Sequence, residues 1–239
     1  MQSISELVRD STFIFSGTVL ELRAPSGPIV MPNEQLITVR LDQSMRVDPV
    51  LGDLRGETII VAVSSTEQLE AGQQAVFFAN SAVHGHRIAV REVAHVDVGQ
   101  ADLVATAIAQ LPQRHLLDRL QDAIVVVDAT ITKIDPPGFT FDQHDGLWAT
   151  AHMQIRATLK GTAPSPPVLY FATAEWPPFD RMPRLRHRQR GIFILHVPPV
   201  DTITEGGTLP VGSLVAADAA DFQEPSETAR IKRLLAALE

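Results

Sequence analysis

Five arginines fall between positions 181 and 190: Arg181, Arg184, Arg186, Arg188 and Arg190. Trp176 and Phe179 stand just ahead of them, around the stiff pair Pro177-Pro178. A guanidinium fork bonds carboxylates and phosphates in bidentate fashion and stacks on flat rings. Trp and Arg are also the residues most enriched among the anchors of protein interfaces. This segment is therefore expected to bind an anionic partner. Trp176 and Phe179 would supply contact area, and the five arginines would supply charge. A second reading makes the alternating Arg184, Arg186, Arg188 and Arg190 the wet face of an incoming strand.

Other candidate chemistry is sparser. His84-Gly85-His86 offers two imidazoles to a metal, or a tight turn in which Gly85 reverses the chain. Asp142-Gln143-His144-Asp145 offers cation ligands, or a hairpin excursion between Phe141 and Gly146. No G-x-S-x-G elbow, H-E-x-x-H pair or S-x-x-K occurs. Neither G-x-G-x-x-G nor the P-loop pattern occurs either. The expectation is a non-catalytic protein with no cofactor.

The composition narrows the classes further. The chain has 239 residues, no cysteine and a formal charge of −8. Without cysteine there is no disulfide scaffold, no thiol nucleophile and no thiolate metal site. An acidic total disfavours a surface that is wholly a nucleic-acid footprint. No run reaches the roughly 18–20 apolar residues of a membrane-spanning helix. Residues 1–112 hold 7 basic and 13 acidic side chains, and residues 113–239 hold 13 and 15. The five clustered arginines account for most of that difference. Met1 to Asp10 lacks the basic start and apolar stretch of a secretory signal. The expected compartment is thus the cytoplasm, or the periplasm or exterior where a leader has been removed.

The elements that would position these residues form a repeating series. Asp10 to Val19 matches Asp122 to Ile131 in character, and each follows a short helical pattern. Ser3 and Glu6 are spaced as a capping box before the first strand. Leu116, Leu117 and Leu120 form the pattern before its counterpart. Ile37, Val39 and Leu41 alternate as Ala151, Met153 and Ile155 do, Thr58–Val63 answers Val168–Thr173, and Ala75–Ala79 answers Gly191–Leu195. A fifth strand is expected at Arg87–Val93, with a counterpart near Leu209–Val215. Closing helices are expected at Asp102–Leu111, stopped by Pro112, and at Glu227–Leu238. Paired prolines such as Pro164-Ser165-Pro166-Pro167 punctuate strand ends in the second half.

Such a series predicts a mainly β protein of two tandem OB-like, five-stranded antiparallel barrels with short flanking helices. The first would span residues 1–112 and the second 113–239. The order of helix, "DAIVVVDATI" strand, further strands and "ATLKG" resembles netrin-like and tissue-inhibitor-of-metalloprotease-like domains. That resemblance implies the barrel architecture alone. The inhibitory N-terminal cysteine of that family has no counterpart here.

The loop between third and fourth strands is 11 positions in the first copy, from Val63 to Gln74. From Thr173 to Arg190 it is 17, and it carries the arginines. The resulting expectation is an adaptor or binding protein that engages a protein partner, alone or within a larger assembly, through the second barrel. Single-stranded nucleic-acid binding by the same surface is the first alternative, since OB barrels often bind oligonucleotides. A metal-dependent enzyme using His84, His86 or His144 is the second. No role at a membrane is expected.

Overall fold

The computed structural model describes residues 2–22, 35–66, 69–84, 87–136, 148–173, 181–198 and 209–238. The chain divides into two compact units, Met1–Leu111 and Pro112–Glu239.

The first unit opens with α1 (Ile4–Asp10). Ser3 Oγ accepts from the Glu6 amide, and the Glu6 carboxylate accepts from the Ser3 amide at 2.7 Å, so the expected capping box is present. Five strands follow: β1 (Phe13–Glu21), β2 (Gln35–Arg46), β3 (Thr58–Val63), β4 (Gln74–His84) and β5 (Arg87–Asp97). They close in the order β1-β2-β3-β5-β4, with β1 paired to both β2 and β4. One contact departs from the antiparallel expectation. β3 and β5 run parallel through Ile60↔Ala89, Val61↔Val90 and Ala62↔Arg91. Closure leaves this sheet without a free edge.

Alternation along each strand fills the interior. Phe13, Phe15, Ile37, Val39, Leu41, Val61, Phe77 and Val90 are buried there. Phe15 stacks on Phe77 at 5.2 Å between ring centroids and meets Phe13 edge-on at 5.5 Å. β1 must coil sharply to reach both neighbours, and its register with β2 shifts at Gly17. A Cβ at Gly17 would lie 2.6 Å from Val39 Cγ1 and 2.8 Å from the Arg40 carbonyl oxygen.

A long helix, α2 (Ala101–Asp122), takes the place of two expected ones. Pro112 lies inside it rather than ending it. Proline costs a helix the hydrogen bond to the carbonyl four residues earlier, here Ile108. Burial on both sides of that position outweighs the loss. Val104 and Ala107 pack with Leu7, Val8, Ile14, Val76 and Phe78 in the first unit. Leu116 and Leu120 pack with Val126, Ile192, Ile194, Ile231 and Leu235 in the second.

The second unit contains β6 (Val125–Asp135), β7 (Trp148–Lys160), β8 (Val168–Ala172), β9 (Arg190–Leu195), β10 (Phe222–Gln223) and the C-terminal α3 (Thr228–Ala236). Its sheet has the order β10-β9-β6-β7-β8 and is antiparallel throughout. It curls into a half-barrel, correcting the expectation of a second closed barrel.

The expected fifth strand at 209–215 is reduced to one residue. Val215 bridges Tyr170 of β8 in parallel and His196, just past β9, antiparallel. Tyr170 N donates to Leu214 O at 2.9 Å, and His196 and Val215 exchange bonds of 3.0 and 2.9 Å. The upstream residues cannot extend this pairing. Pro210 has no N–H, and Gly212 turns the chain at φ +81° while Ser213 N bonds back to Pro210 O. Val215 and Ala216 are nevertheless fully buried.

Two outcomes follow for stability. Phe77→Ala should cost the first unit about 3–5 kcal/mol, because the cavity takes the place of the fully buried ring that stacks on Phe15. Calorimetry should show one unfolding transition lowered and the other unmoved; a uniform shift of both would contradict two separate cores. Gly17→Val should likewise destabilise only the first unit, since neither the neighbouring strand backbone nor Val39 can move away.

Candidate functional site

The arginine segment is anchored residue by residue. Met182, Pro183 and Leu185 are buried, whereas Arg181, Arg184, Arg186, Arg188 and Arg190 are exposed. Leu185 enters the inner core of the half-barrel with Val127, Ile131, Phe171 and Phe193. Met182 packs with Ala172, Trp148 and Ala217. Between Arg184 and Arg190 only Leu185 is buried, since His187 is exposed and Gln189 half-buried, so the burial does not alternate as a strand's would. β9 starts only at Arg190, so the strand-face reading of Arg184, Arg186 and Arg188 does not hold.

Backbone bonds fix the remainder. Arg188 N donates to Ile131 O and Ile131 N donates to Gln189 O, both at 2.9 Å. The Gln189 side chain accepts from Arg186 N at 2.7 Å, which closes a turn around Arg188 at φ +65°. A non-glycine residue rarely holds that left-handed conformation. Here the paired β6 backbone over-determines it. Arg184 is set apart from the others, because its Nη1 donates to Ala172 O at the end of β8. Trp176 and Phe179 lie outside the described residues.

Further along β6, Asp135 is already neutralised. Lys133 Nζ lies 2.6 Å from its Oδ1 and His152 Nε2 lies 2.6 Å from its Oδ2. Hydrogen bonds from Lys133 and then His152 hold this half-buried carboxyl below its ordinary value.

One polar cluster has no signal in the sequence. Asp221 is fully buried. Arg119 of α2 grips it with two bonds, Nε to Oδ1 at 2.8 Å and Nη2 to Oδ2 at 2.6 Å. His196 Nε2 lies 3.2 Å from Oδ1, and the amides of Ala217 and Asp218 donate to Oδ2 at 2.7 and 2.9 Å. Asp218 accepts in turn from Ala220 N and faces His115 Nε2 at 2.9 Å. Burial pushes the Asp221 carboxyl up. The bonds from His196 and Arg119, reinforced by their charges, outweigh burial and hold it below the usual carboxylate value. Arg119 and Asp221 are 102 positions apart, so no local spacing could have joined them.

Of the histidines singled out from the sequence, His84 alone falls in a described strand. His84 ends β4, where it pairs in register with Arg87 of β5. His86, Asp142, His144 and Asp145 lie outside the described residues. Among the described residues, no cluster of three metal-ligating side chains occurs, and no helix is long and apolar enough to cross a membrane.

No protein-family model and no curated protein matches the chain.

The Asp221 cluster makes a clear prediction. Both tryptophans, Trp148 and Trp176, belong to the second unit, so tryptophan fluorescence reports its unfolding alone. Asp221→Asn should lower that unit's stability by about 3–5 kcal/mol, the usual cost of breaking a buried ion pair. A carboxyl with a depressed folded pKa stabilises above its unfolded value, about 3.9, and loses that contribution as pH falls through the lower folded value. Wild-type stability should therefore decline below about pH 4 more steeply than that of Asp221→Asn. Parallel profiles would show that the carboxylate is energetically idle.

Proposed function

We propose that this is a non-catalytic binding or adaptor protein that engages an acidic surface of a protein partner through its second unit. One observation carries the reading. Arg181, Arg186, Arg188 and Arg190 are held in solvent by a segment whose intervening apolar side chains are buried. A disordered charged loop would lose conformational entropy when it bound. A segment pinned at Met182, Leu185 and Ile131 has already lost most of it. The arginines would pair with carboxylates and steer encounter, and Trp176 and Phe179 would supply anchor area. Elsewhere the exposed cations, such as Arg55, Arg114 and Arg156, are scattered along the chain rather than clustered within ten residues.

We read both units as variants of one OB-like design. The closed five-stranded barrel supports this for the first. For the second, the support is Val215, which stands parallel to β8 and antiparallel to the β9 end as β5 stands to β3 and β4. That architecture keeps single-stranded nucleic acid as a second reading, since OB barrels host such sites.

The triple variant Arg186→Ala/Arg188→Ala/Arg190→Ala separates them. Arg184 is left intact because it bonds Ala172 O. Partner recovery from lysate should fall about tenfold or more, equivalent to at least about 1.4 kcal/mol, with tryptophan-detected stability unchanged. Recovery equal to wild type would remove the site. Binding of a single-stranded oligonucleotide that falls steeply between low and physiological salt, and is lost in the variant, would favour the nucleic-acid reading instead.

A further inference from the structure

Arg188 is held at φ +65°, and among the described residues every other residue at positive φ is a glycine. In that region a Cβ crowds the backbone, whereas glycine enters freely. The course of the chain requires the conformation here. Arg188 N donates to Ile131 O, and Gln189 N returns to Arg186 O at 3.1 Å. Glycine or asparagine would make the same backbone bonds at lower conformational cost. Packing does not explain the arginine either. Arg188 is exposed, and among the described residues nothing accepts a bond from its guanidinium. The fold thus gains nothing from this side chain to offset its strained backbone. Strain of that kind persists at ligand contacts, where the residue type is needed for another reason.

The chemistry of the turn narrows the ligand. The amides of Arg186, Arg188 and Gln189 are spent on Gln189 Oε1, Ile131 O and Arg186 O. These three therefore cannot form the row of free amides that cradles a phosphate. What the turn offers is a guanidinium, whose planar fork matches the two oxygens of one carboxylate. Arg186 and Arg190, exposed two positions away on either side, add attraction from backbones at ordinary angles.

Resting on the acidic-partner reading above, we infer that Arg188 is the specificity-determining contact of the arginine segment. It docks one carboxylate of an acidic segment of the partner protein as a two-pronged ion pair, with Arg186 and Arg190 as flanking charges.

Isotope-labelled arginine gives one Nε–H correlation per guanidinium, and the one missing from Arg188→Gly belongs to Arg188. The probes are Ac-Glu-Glu-Glu-Glu-NH2, its neutral counterpart Ac-Gln-Gln-Gln-Gln-NH2, and Ac-Gly-pSer-pSer-Gly-NH2, which carries similar charge as phosphate. The glutamate peptide should shift the Arg188 correlation saturably and further than any other. The glutamine peptide should leave it unmoved, and the phosphopeptide should bind no more tightly than the glutamate one. Arg188→Gly and Arg188→Asn should raise the tryptophan-detected unfolding midpoint, yet weaken the glutamate peptide about tenfold or more. Arg188→Ala, which keeps a Cβ, should lose the same affinity with no gain in midpoint. Arg186→Gln should cost about threefold at most, as an exposed flanking charge does. A midpoint unmoved or lowered by Arg188→Gly, equal losses from Arg186→Gln and Arg188→Gly, or tighter binding of the phosphopeptide would overturn the inference. If Arg188→Gly keeps the glutamate peptide and only the arginine triple variant loses it, this inference falls and the acidic-partner reading stands. No shift with the glutamate peptide in the wild type would remove both.

Discussion

The carboxylate of Asp221 is the constraint on which the second unit depends. A half-barrel has a gap between its outer strands, and among the described residues the chain crossing that gap has only Val215 in ladder register. Two bridges at one residue are too little to fix a backbone. What fixes it lies just beyond, where Asp221 binds the amides of Ala217 and Asp218 while Arg119 and His196 hold the carboxylate in place. Arg119 belongs to α2 and His196 follows β9, so one buried charge ties a helix, a strand end and the closing segment together. Such a group is expensive to bury and is tolerated only when every lone pair is used.

The same tie reaches the arginines through packing. Ala217, held by Asp221, packs against the small cluster that Met182 forms with Ala172, and Met182 begins the buried side of the arginine segment. From the other end, Gln189 and Arg188 are bonded to Ile131 of β6. The exposed guanidinium groups therefore sit on a rigid support, although the residues between them are not in regular secondary structure. The first unit needs no comparable device, because its five strands close on themselves and stack Phe13, Phe15 and Phe77 inside. The two units thus solve the problem of sheet edges differently, one by closure and the other by a pinned crossing chain.

Much of this was legible from periodicity. Thr58–Val63 alternates cleanly and is a strand with those bounds, and Ser3 with Glu6 forms the capping box that its spacing announces. The misses have physical causes. Pro112 reads as a helix stop, yet core packing on both sides overrides local propensity. Leu209–Val215 reads as a strand by hydropathy, but Pro210 and the left-handed Gly212 prevent one. The parallel β3–β5 contact and the Arg119–Asp221 pair join residues far apart in sequence, which no local pattern encodes. Of the arginine site, composition located the charge. Only the burial of Met182, Pro183 and Leu185 shows how that charge is supported.

The central claim is that the Asp221 cluster, acting through Ala217 and Met182, supports the arginine segment. Amide hydrogen exchange in wild type and Asp221→Asn, under conditions where both stay folded, tests it directly. The account predicts faster exchange at Ala217 and Asp218 in the variant and, with it, faster exchange at Arg186 and Arg188. Loss of protection confined to Ala217 and Asp218, with the Arg186 and Arg188 amides unchanged, would contradict it.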